Sequence, residues 1–444
     1  LEPGASATLD TGHFASMVPH TGSLTLALGP IARLDVPELL LALDRYPYGC
    51  AEQVSSRVLP LLYLNEVAHT IGLGDDAALQ QRIREAIASL LAKQNSSGGF
   101  GLWGPFSTSD LWLDSYVTEF LLRARAEGFE VPEQAMTRAL DNLSNQVSYA
   151  ADFSSGGEDI AYALYDLARA GRAAIGDLRY YLEARLDAFG SPLAKAQLGA
   201  ALALYGDRTR ATTAFEAAIA GLAAPEDRRR YRNDYGSRLR DTAGVLALAA
   251  EFEPAGIDLM ALAGDLADQR DRAKYTSTQE DAWTLVAAAA LARDTADGSV
   301  TIGGEELTGS VYRRYDQEEI EANSVEIVNL GNRATEAKVS VTGIPAVPPE
   351  ASSDGFTIIR DYYLPDGSWV DDISRISQND RFVVVLTMSA KTLGSGQYLV
   401  VDPLPAGFEI ENPDLSAGAG VADLAWLAVD TPTHVEARTD SHVA

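Results

Sequence analysis

Residues 34–294 form one continuous run rich in Ala, Leu and Arg, with strand-like segments on both sides of it. Stretches 78–94, 111–128, 159–171, 193–206 and 242–252 place apolar residues at i, i+3, i+4 and i+7, the spacing of one helix face. Pro132 and Pro192 suit a first helical turn, and Gly128, Gly171 and Gly206 suit the left-handed residue that ends a helix. Roughly eleven or twelve helical segments follow one another through the short turns of helix pairs. Many carry small residues on several faces, with Ala287 to Ala290 the extreme, which permits close packing on more than one side. Successive helical hairpins of this length stack as a solenoid or close into a ring. A closed six-hairpin α/α toroid is expected here.

Outside this block the period changes to two. Segments 23–28, 299–302, 324–328, 337–342, 356–359, 382–387 and 398–401 alternate as strands between Gly, Asn, Asp and Pro clusters, the texture of β-sandwiches. Strands on both sides of the helices imply a helical domain inserted into a β-domain. The expected domains are residues 1–33 and 297–345 as two parts of one β-sandwich, 34–296 as the toroid, and 346–444 as a second sandwich. Pro345, Pro348 and Pro349 mark the hinge. Residues 421–444 show no closing strand, so the second sandwich is expected to be truncated. The chain opens Leu1-Glu2-Pro3-Gly4 without Met or a signal-peptide pattern, and reads as a piece of something longer.

With 444 residues and 46% hydrophobic content, the chain has ample material for large cores. Its net charge of −28 argues against a nucleic-acid binder or a polybasic membrane-surface protein, since phosphate-rich partners need clustered cations. No apolar run approaches the ~20 residues of a membrane-spanning helix. The single cysteine, Cys50, excludes an internal disulfide framework and any multi-cysteine metal site.

That cysteine lies in Tyr46-Pro47-Tyr48-Gly49-Cys50-Ala51-Glu52-Gln53. The plain reading is a small buried thiol at a helix start. Around one given Cys, however, Glu at +2 with Gln at +3 arises by chance on the order of once in a few hundred. Gly49 permits an unusual backbone conformation and close approach. A helix beginning here would favour a thiolate through its N-terminal N–H groups.

Gly-Cys-x-Glu-Gln resembles the thioester motif of the alpha-2-macroglobulin and complement-type proteins, and the longer segment 46–53 resembles their bacterial branch. The likeness continues in residues 94–104 with their Gly98-Gly99-Phe100-Gly101 core, and in Trp112-Leu113-Asp114-Ser115-Tyr116. Ser277-Thr278-Gln279-Glu280-Asp281 is similar to the family's last toroid helix. Leu404-Pro405-Ala406-Gly407-Phe408-Glu409-Ile410-Glu411-Asn412-Pro413 is similar to part of its C-terminal macroglobulin-like domain. The resemblance covers nearly the whole chain. It implies a thioester domain inside a CUB-like β-domain, followed by a macroglobulin-like sandwich.

The resemblance also implies a broad-spectrum endopeptidase inhibitor. The Cys50 sulfur would be acylated by the Gln53 side chain with loss of ammonia, giving an internal thioester, with Gly49 and Glu52 as motif support. After a protease cleaves a bait segment elsewhere in the full protein, one of its lysine amines would attack the Gln53 carbonyl and remain covalently attached. This is single-use trapping without catalytic turnover, and no cofactor is expected. Such a bond must stay dry until triggered. Tyr46 and Tyr48 are placed to cover it, joined by Trp103, Phe106 and Trp112; the alternative is that both tyrosines are ordinary core or rim aromatics. Some relatives redirect the acyl group through a histidine. The matching stretch 146–158 contains none, and of His13, His20, His69, His434 and His442 only His69 lies in the helical block, so direct attack by amines is expected.

By the same analogy the protein would act in bacterial defence in the periplasm, lipid-anchored at the inner membrane in its full-length form. Its partners would be proteases, its own upstream domains and a peptidoglycan-synthesis enzyme, and the fragment would be monomeric. Arg228-Arg229-Arg230-Tyr231-Arg232 with Arg238 and Arg240 reads as a solvated basic face or a docking surface. Asn95-Ser96-Ser97 and Asn142-Leu143-Ser144 match the glycosylation sequon, a signal without weight in a bacterial protein. The pairs Asp75-Asp76 and Asp371-Asp372 lack the spacing of a calcium loop. Two other readings stay open. One is a toroid enzyme of the terpenoid-cyclase or glycan-active kind, which needs an acidic motif or convergent carboxylates that the sequence does not display. The other is a structural module in which no thioester forms.

Overall fold

The computed structural model describes residues 1–29, 31–46, 49–107, 109–224, 232, 234–273, 275–292, 299–353, 355–373, 376–391, 398–411, 424–428, 430, 432 and 435–444. It comprises two compact units, Leu1–Arg228 with Arg232–Val347, and Pro348–Ala444. No helix among the described residues is long and apolar enough to cross a membrane.

The first unit opens with strands β1 (Ser6–Leu9) and β2 (Ser23–Leu28). The helical block follows with α1 (Val36–Arg45), α2 (Ala51–Val58), α3 (Asn65–Thr70), α4 (Asp76–Leu91), α5 (Leu111–Ala126) and α6 (Glu133–Tyr149). It continues with α7 (Glu158–Arg169), α8 (Ile175–Arg185), α9 (Pro192–Leu204), α10 (Arg208–Ala223), α11 (Arg238–Phe252), α12 (Leu259–Arg272) and α13 (Thr278–Ala292). Side chains of Asp75, Asp110, Ser191, Ser237 and Asp258 cap five of these helices by accepting from otherwise unpaired first-turn N–H groups. Gly128, Gly171 and Gly206 take the left-handed conformation after their helices, with φ of 87°, 68° and 75°. Pro132 stands one residue ahead of α6, and Pro192 begins α9.

Helices α2, α5, α7, α9, α11 and α13 contact one another in that order, and α13 returns to α2, which closes the ring. Helices α1, α4, α6, α8, α10 and α12 pack outside it, giving the six-hairpin α/α toroid. The inner helices are buried almost all round, which is why their sequences lack a single polar stripe. Small residues set their spacing. A Cβ on Gly244 of α11 would sit 2.6 Å from Leu193 of α9, and one on Gly199 of α9 would sit 2.9 Å from the Phe215 ring of α10.

After the toroid the chain returns to the β-domain with β3 (Ser299–Ile302), β4 (Glu305–Thr308), β5 (Val311–Asp316), helix α14 (Gln317–Ala322), β6 (Val325–Asn329) and β7 (Ala337–Thr342). Two antiparallel sheets, ordered β1-β6-β3-β4 and β5-β2-β7, enclose Leu9, Leu24, Leu26, Leu28, Ile302, Val311 and Ile327. The toroid thus lies in the chain between β2 and β3 of one sandwich. Polar ties hold it there: Lys338 of β7 lies 3.7 Å from Asp271 of α12, and Ser340 donates to Asp35 at 2.5 Å.

The second unit carries β8 (Phe356–Tyr363) paired antiparallel with β9 (Val383–Ala390), and β10 (Val401–Pro403), β11 (Glu436–Ala437) and β12 (Ser441–Val443) in the order β10-β12-β11. The expectation of no closing strand is corrected by β12, which lies between β10 and β11. At three residues it is too short for a period-two signal. Seven residues of the 421–444 stretch, His434 among them, lie outside the described residues, as do Asn412 and Pro413.

Candidate functional site

Cys50 is the N-cap of α2, in extended conformation at φ −66° and ψ 162°. It and Gln53 face each other's backbone as a capping box does: the Gln53 side-chain oxygen accepts from the Cys50 N–H at 3.3 Å, and the sulfur receives the Gln53 N–H. The i, i+3 spacing on a helix start therefore brings thiol and carboxamide together. The next N–H, of Ala51, donates to Leu102 O at 2.7 Å, so the loop 94–110 holds the helix end from outside.

Cys50 is 4% exposed. Its thiol is pushed up to about 12, first by burial and then by the Glu52 carboxylate, against hydrogen bonds from the Gln53 and Glu52 N–H groups and the charge of Lys93. The expected thiolate is thus overturned. Dehydration of the sulfur outweighs the partial charge of the helix end.

Glu52 points inward and is 5% exposed. It accepts hydrogen bonds from Ser56 Oγ at 2.7 Å, Gln279 Nε2 at 2.8 Å and Thr278 Oγ1 at 2.9 Å. Ser56 Oγ in turn lies 2.8 Å from the Tyr116 hydroxyl of α5. One carboxylate therefore ties α2 to both of its neighbours in the inner ring, α5 and α13. Ser56, Tyr116, Thr278 and Gln279 were not singled out as site residues from the sequence, although three of them lie in segments that carry the family resemblance.

The outer loop is equally fixed. Gly98 has φ +100°, and a Cβ there would stand 2.1 Å from Arg138 O. Asp114, in the first turn of α5, accepts from the Phe100 N–H at 2.6 Å, Asn142 Nδ2 at 2.7 Å, Ser109 Oγ at 2.8 Å and Gln146 Nε2 at 2.9 Å. Asn142 is thereby committed to this network, and Asn95 turns its side-chain oxygen onto the N–H groups of Ser97 and Gly99.

Several further expectations change. Gly49 has open space around its missing side chain and no left-handed φ, so neither close approach nor backbone strain accounts for a glycine there. Phe106 is fully exposed, at 100%. Trp112 is buried, stacked on Tyr116 at 5.2 Å and close to Tyr162 and Tyr235, so it packs inside the ring. Tyr46 is half-buried at the end of α1, and Trp103 is half-buried beside the Ser107 turn. Tyr48 and Pro47 lie outside the described residues. His69 is exposed in the last turn of α3.

The solvated basic face is also overturned for its described members. Arg232 and Arg240 lie between Asp234 and Asp241, with Arg240 2.6 Å from Asp234 and 2.9 Å from Asp241, and Arg232 2.7 Å from Asp241. Arg238 donates to the Gly221, Leu222 and Ala224 carbonyl oxygens at the end of α10. Arg228 to Tyr231 lie outside the described residues. Deeper in the ring Glu119 and Asp166 are both fully buried, at 0% exposure. Arg123 and Tyr162 hold Glu119, while neither Asp166 oxygen has a hydrogen-bond partner. Burial and the Glu119 charge keep the Asp166 carboxyl protonated well above the usual range. Sealed from solvent, this pair offers no access to a substrate.

Among the described residues no His, Cys, Asp and Glu group could hold a metal ion. The fold and the motif-bearing loop define the chain as a macroglobulin-type protein, a toroid set within a β-sandwich and followed by a second β unit. Comparison with known families agrees. The A-macroglobulin TED domain matches residues 23–164, and the bacterial alpha-2-macroglobulin MG10 domain matches residues 355–444. The Escherichia coli K12 alpha-2-macroglobulin is 29% identical over 100% of this chain and 28% of its own length. The native E. coli protein from domain MG7 to the C-terminus aligns with TM-score 0.83 and 27% identity, covering 100% of this chain and 72% of the other. Salmonella alpha-2-macroglobulin reacted with methylamine aligns with TM-score 0.83 and 29% identity, covering 100% and 30%. Over its whole length the chain is similar to bacterial alpha-2-macroglobulins, and both matched domains are domains of that family. It spans just over a quarter of the length of its E. coli relative, 28%.

Proposed function

We propose that this chain carries the thioester of a covalent protease inhibitor, and that Cys50 and Gln53 form it. The observation that supports this most is the reciprocal seating of the two side chains at the buried start of α2. The Cys50 sulfur attacks the Gln53 side-chain carbonyl carbon, the C–N bond breaks, and the thiol proton leaves with ammonia. An amine later adds to the same carbon, the C–S bond breaks, and the amine's proton passes to the departing sulfur. The product is an amide on residue 53 and a free thiol on Cys50.

Burial serves this chemistry twice. It excludes water, and it makes the sulfur a poor leaving group, since a thiol pushed up to about 12 is expelled reluctantly. Exposure removes both restraints. Tyr46 contributes to the cover from the end of α1. The inhibited partners are proteases attacking through their lysine amines, a reading in line with E. coli alpha-2-macroglobulin structures activated by porcine elastase and by trypsin. Bait cleavage belongs to segments upstream. A periplasmic setting, with the full-length protein lipid-anchored and working beside a peptidoglycan-synthesis enzyme, completes the proposal.

Intact mass spectrometry before and after methylamine tests it, with a thiol probe on Cys50. The expected result is a mass one ammonia below the sequence value, a blocked thiol, and gain of one methylamine with thiol release. The full sequence mass with a freely labelled Cys50, in this chain and in the full-length protein, overturns the reading. Tyr46→Ala is expected to speed methylamine uptake, and an unchanged rate removes Tyr46 from the cover.

A further inference from the structure

We propose that Asp114 is a positioning residue for the Cys50–Gln53 pair, acting through the 98–102 loop and not by contact; this rests on the thioester reading. Asp114 is 1% exposed, and its two oxygens receive four hydrogen bonds, the full capacity of a carboxylate. Every donor is neutral. Two come from the loop side, Phe100 N–H and Ser109 Oγ, and two from α6, Asn142 and Gln146. The carboxylate thus fastens the loop to α5 and α6 at one point.

Two residues beyond Phe100, Leu102 O receives the Ala51 N–H, the first helical residue of α2 and the neighbour of Cys50. The chain of contacts therefore runs from α6 to Asp114, Phe100, Leu102, Ala51 and the reactive pair. The loop between has no slack. A Cβ on Gly101 would lie 2.0 Å from Gly104 O, and one on Gly99 would lie 2.9 Å from Asp114 itself. Gly101 N–H donates to Lys93 O at 3.1 Å, and Gln94 Nε2 to Gly98 O at 3.2 Å, which pin the loop's other edge. A displacement at Asp114 cannot be absorbed on the way and reaches the start of α2. Acyl transfer between neighbouring side chains depends steeply on alignment, and a misplacement of about 1 Å costs on the order of a hundredfold.

The test compares Asp114→Ala, Asp114→Asn and Asn142→Ala with Gln146→Leu as a double variant, all well below their unfolding temperatures. The readouts are the fraction of molecules with the thioester by mass, the methylamine rate, and the labelling rate of Cys50 in molecules with a free thiol. Asp114→Ala is expected to lower the thioester fraction or raise the methylamine rate by about tenfold or more, and to speed Cys50 labelling. Asp114→Asn keeps an acceptor for Phe100, and the Asn142 and Gln146 amides can turn to present their oxygens, so it restores most of the wild-type behaviour. The α6 double variant leaves the loop donors in place and falls between. If Asp114→Ala does not fold, the double variant decides alone. A folded variant lacking these bonds, with wild-type thioester fraction and wild-type Cys50 labelling, overturns the proposal. Absence of a thioester in the wild type would overturn the underlying reading instead, while the labelling rate would still test the linkage from Asp114 to Cys50.

Discussion

The toroid buries carboxylates in two different ways. Near Cys50, Glu52 and Asp114 are held by hydroxyls, amides and a backbone N–H, with no cation among the hydrogen-bond donors. At the start of α11, Asp234 and Asp241 are clamped by the guanidinium groups of Arg232 and Arg240. The consequences for charge are opposite. Burial raises the Asp114 carboxyl above its usual range despite four hydrogen bonds, whereas Arg240 and Arg232 hold Asp234 far below it. Paired charges make a fixed strut. Neutral donors instead orient a carboxylate by direction, and they add no cation beside Cys50 and Gln53.

The largest effect that tests this contrast is on the strut. Arg240→Met leaves two buried carboxylates short of a partner and is expected to cost about 3–5 kcal/mol in denaturant unfolding. Methylamine uptake by the folded variant should be unchanged, and a changed uptake would join the two centres that the comparison separates. Next comes Glu52→Ala, which strands the donors of Ser56, Thr278 and Gln279. It should cost about 2–3 kcal/mol and sharply lower the thioester fraction. Full thioester yield in that variant would reduce Glu52 to a structural tie.

A third test uses pH. The Asp281 carboxyl of α13, with one oxygen unpaired, is raised from 3.8 to about 6 by burial, with Glu280 and Glu38 adding and Thr276 and Arg270 opposing. Because the folded value lies above the unfolded one, its stabilising contribution is full below about pH 4 and is lost as pH rises through 6. Asp281→Asn should therefore stabilise the protein by about 1–2 kcal/mol at pH 8 and show no advantage at pH 4, read from unfolding curves at both. An advantage that does not change with pH would mean that the carboxyl does not titrate in this range. Smallest of all, Phe106→Ala should shift stability by no more than about 0.5 kcal/mol, since the side chain is fully exposed. A larger loss would mean that Phe106 packs against something in the folded protein.

Local signals were legible wherever the physics is local. Gly128, Gly171 and Gly206 end their helices in the left-handed form because a glycine there has no Cβ to resist it. Segments 23–28, 299–302 and 337–342 became strands with the expected limits. The Cys50–Gln53 pair was readable for the same reason, since both residues sit within one helical turn. What failed depended on distant partners. The arginines near 238 looked solvated because Asp234 and Asp241 recruit them only when the loop folds back onto α11. Gly49 permits an unusual backbone and close approach, and the structure uses neither. Phe106, expected to join the cover over Cys50 from the following turn, is exposed to solvent.

The sequence by itself determined the periodicities, the helix ends, the insertion of helices between strands and the placing of Cys50 and Gln53 within one helical turn, all of which are set within a few residues or by element order. Tertiary structure decided which carboxylates are paired with cations and which with neutral donors, and that the Cys50 sulfur is a dehydrated thiol. Those outcomes are sums of burial and contacts among α2, α5, α6, α11 and α13, and desolvation depends on what surrounds a group in space, which a linear spacing does not encode.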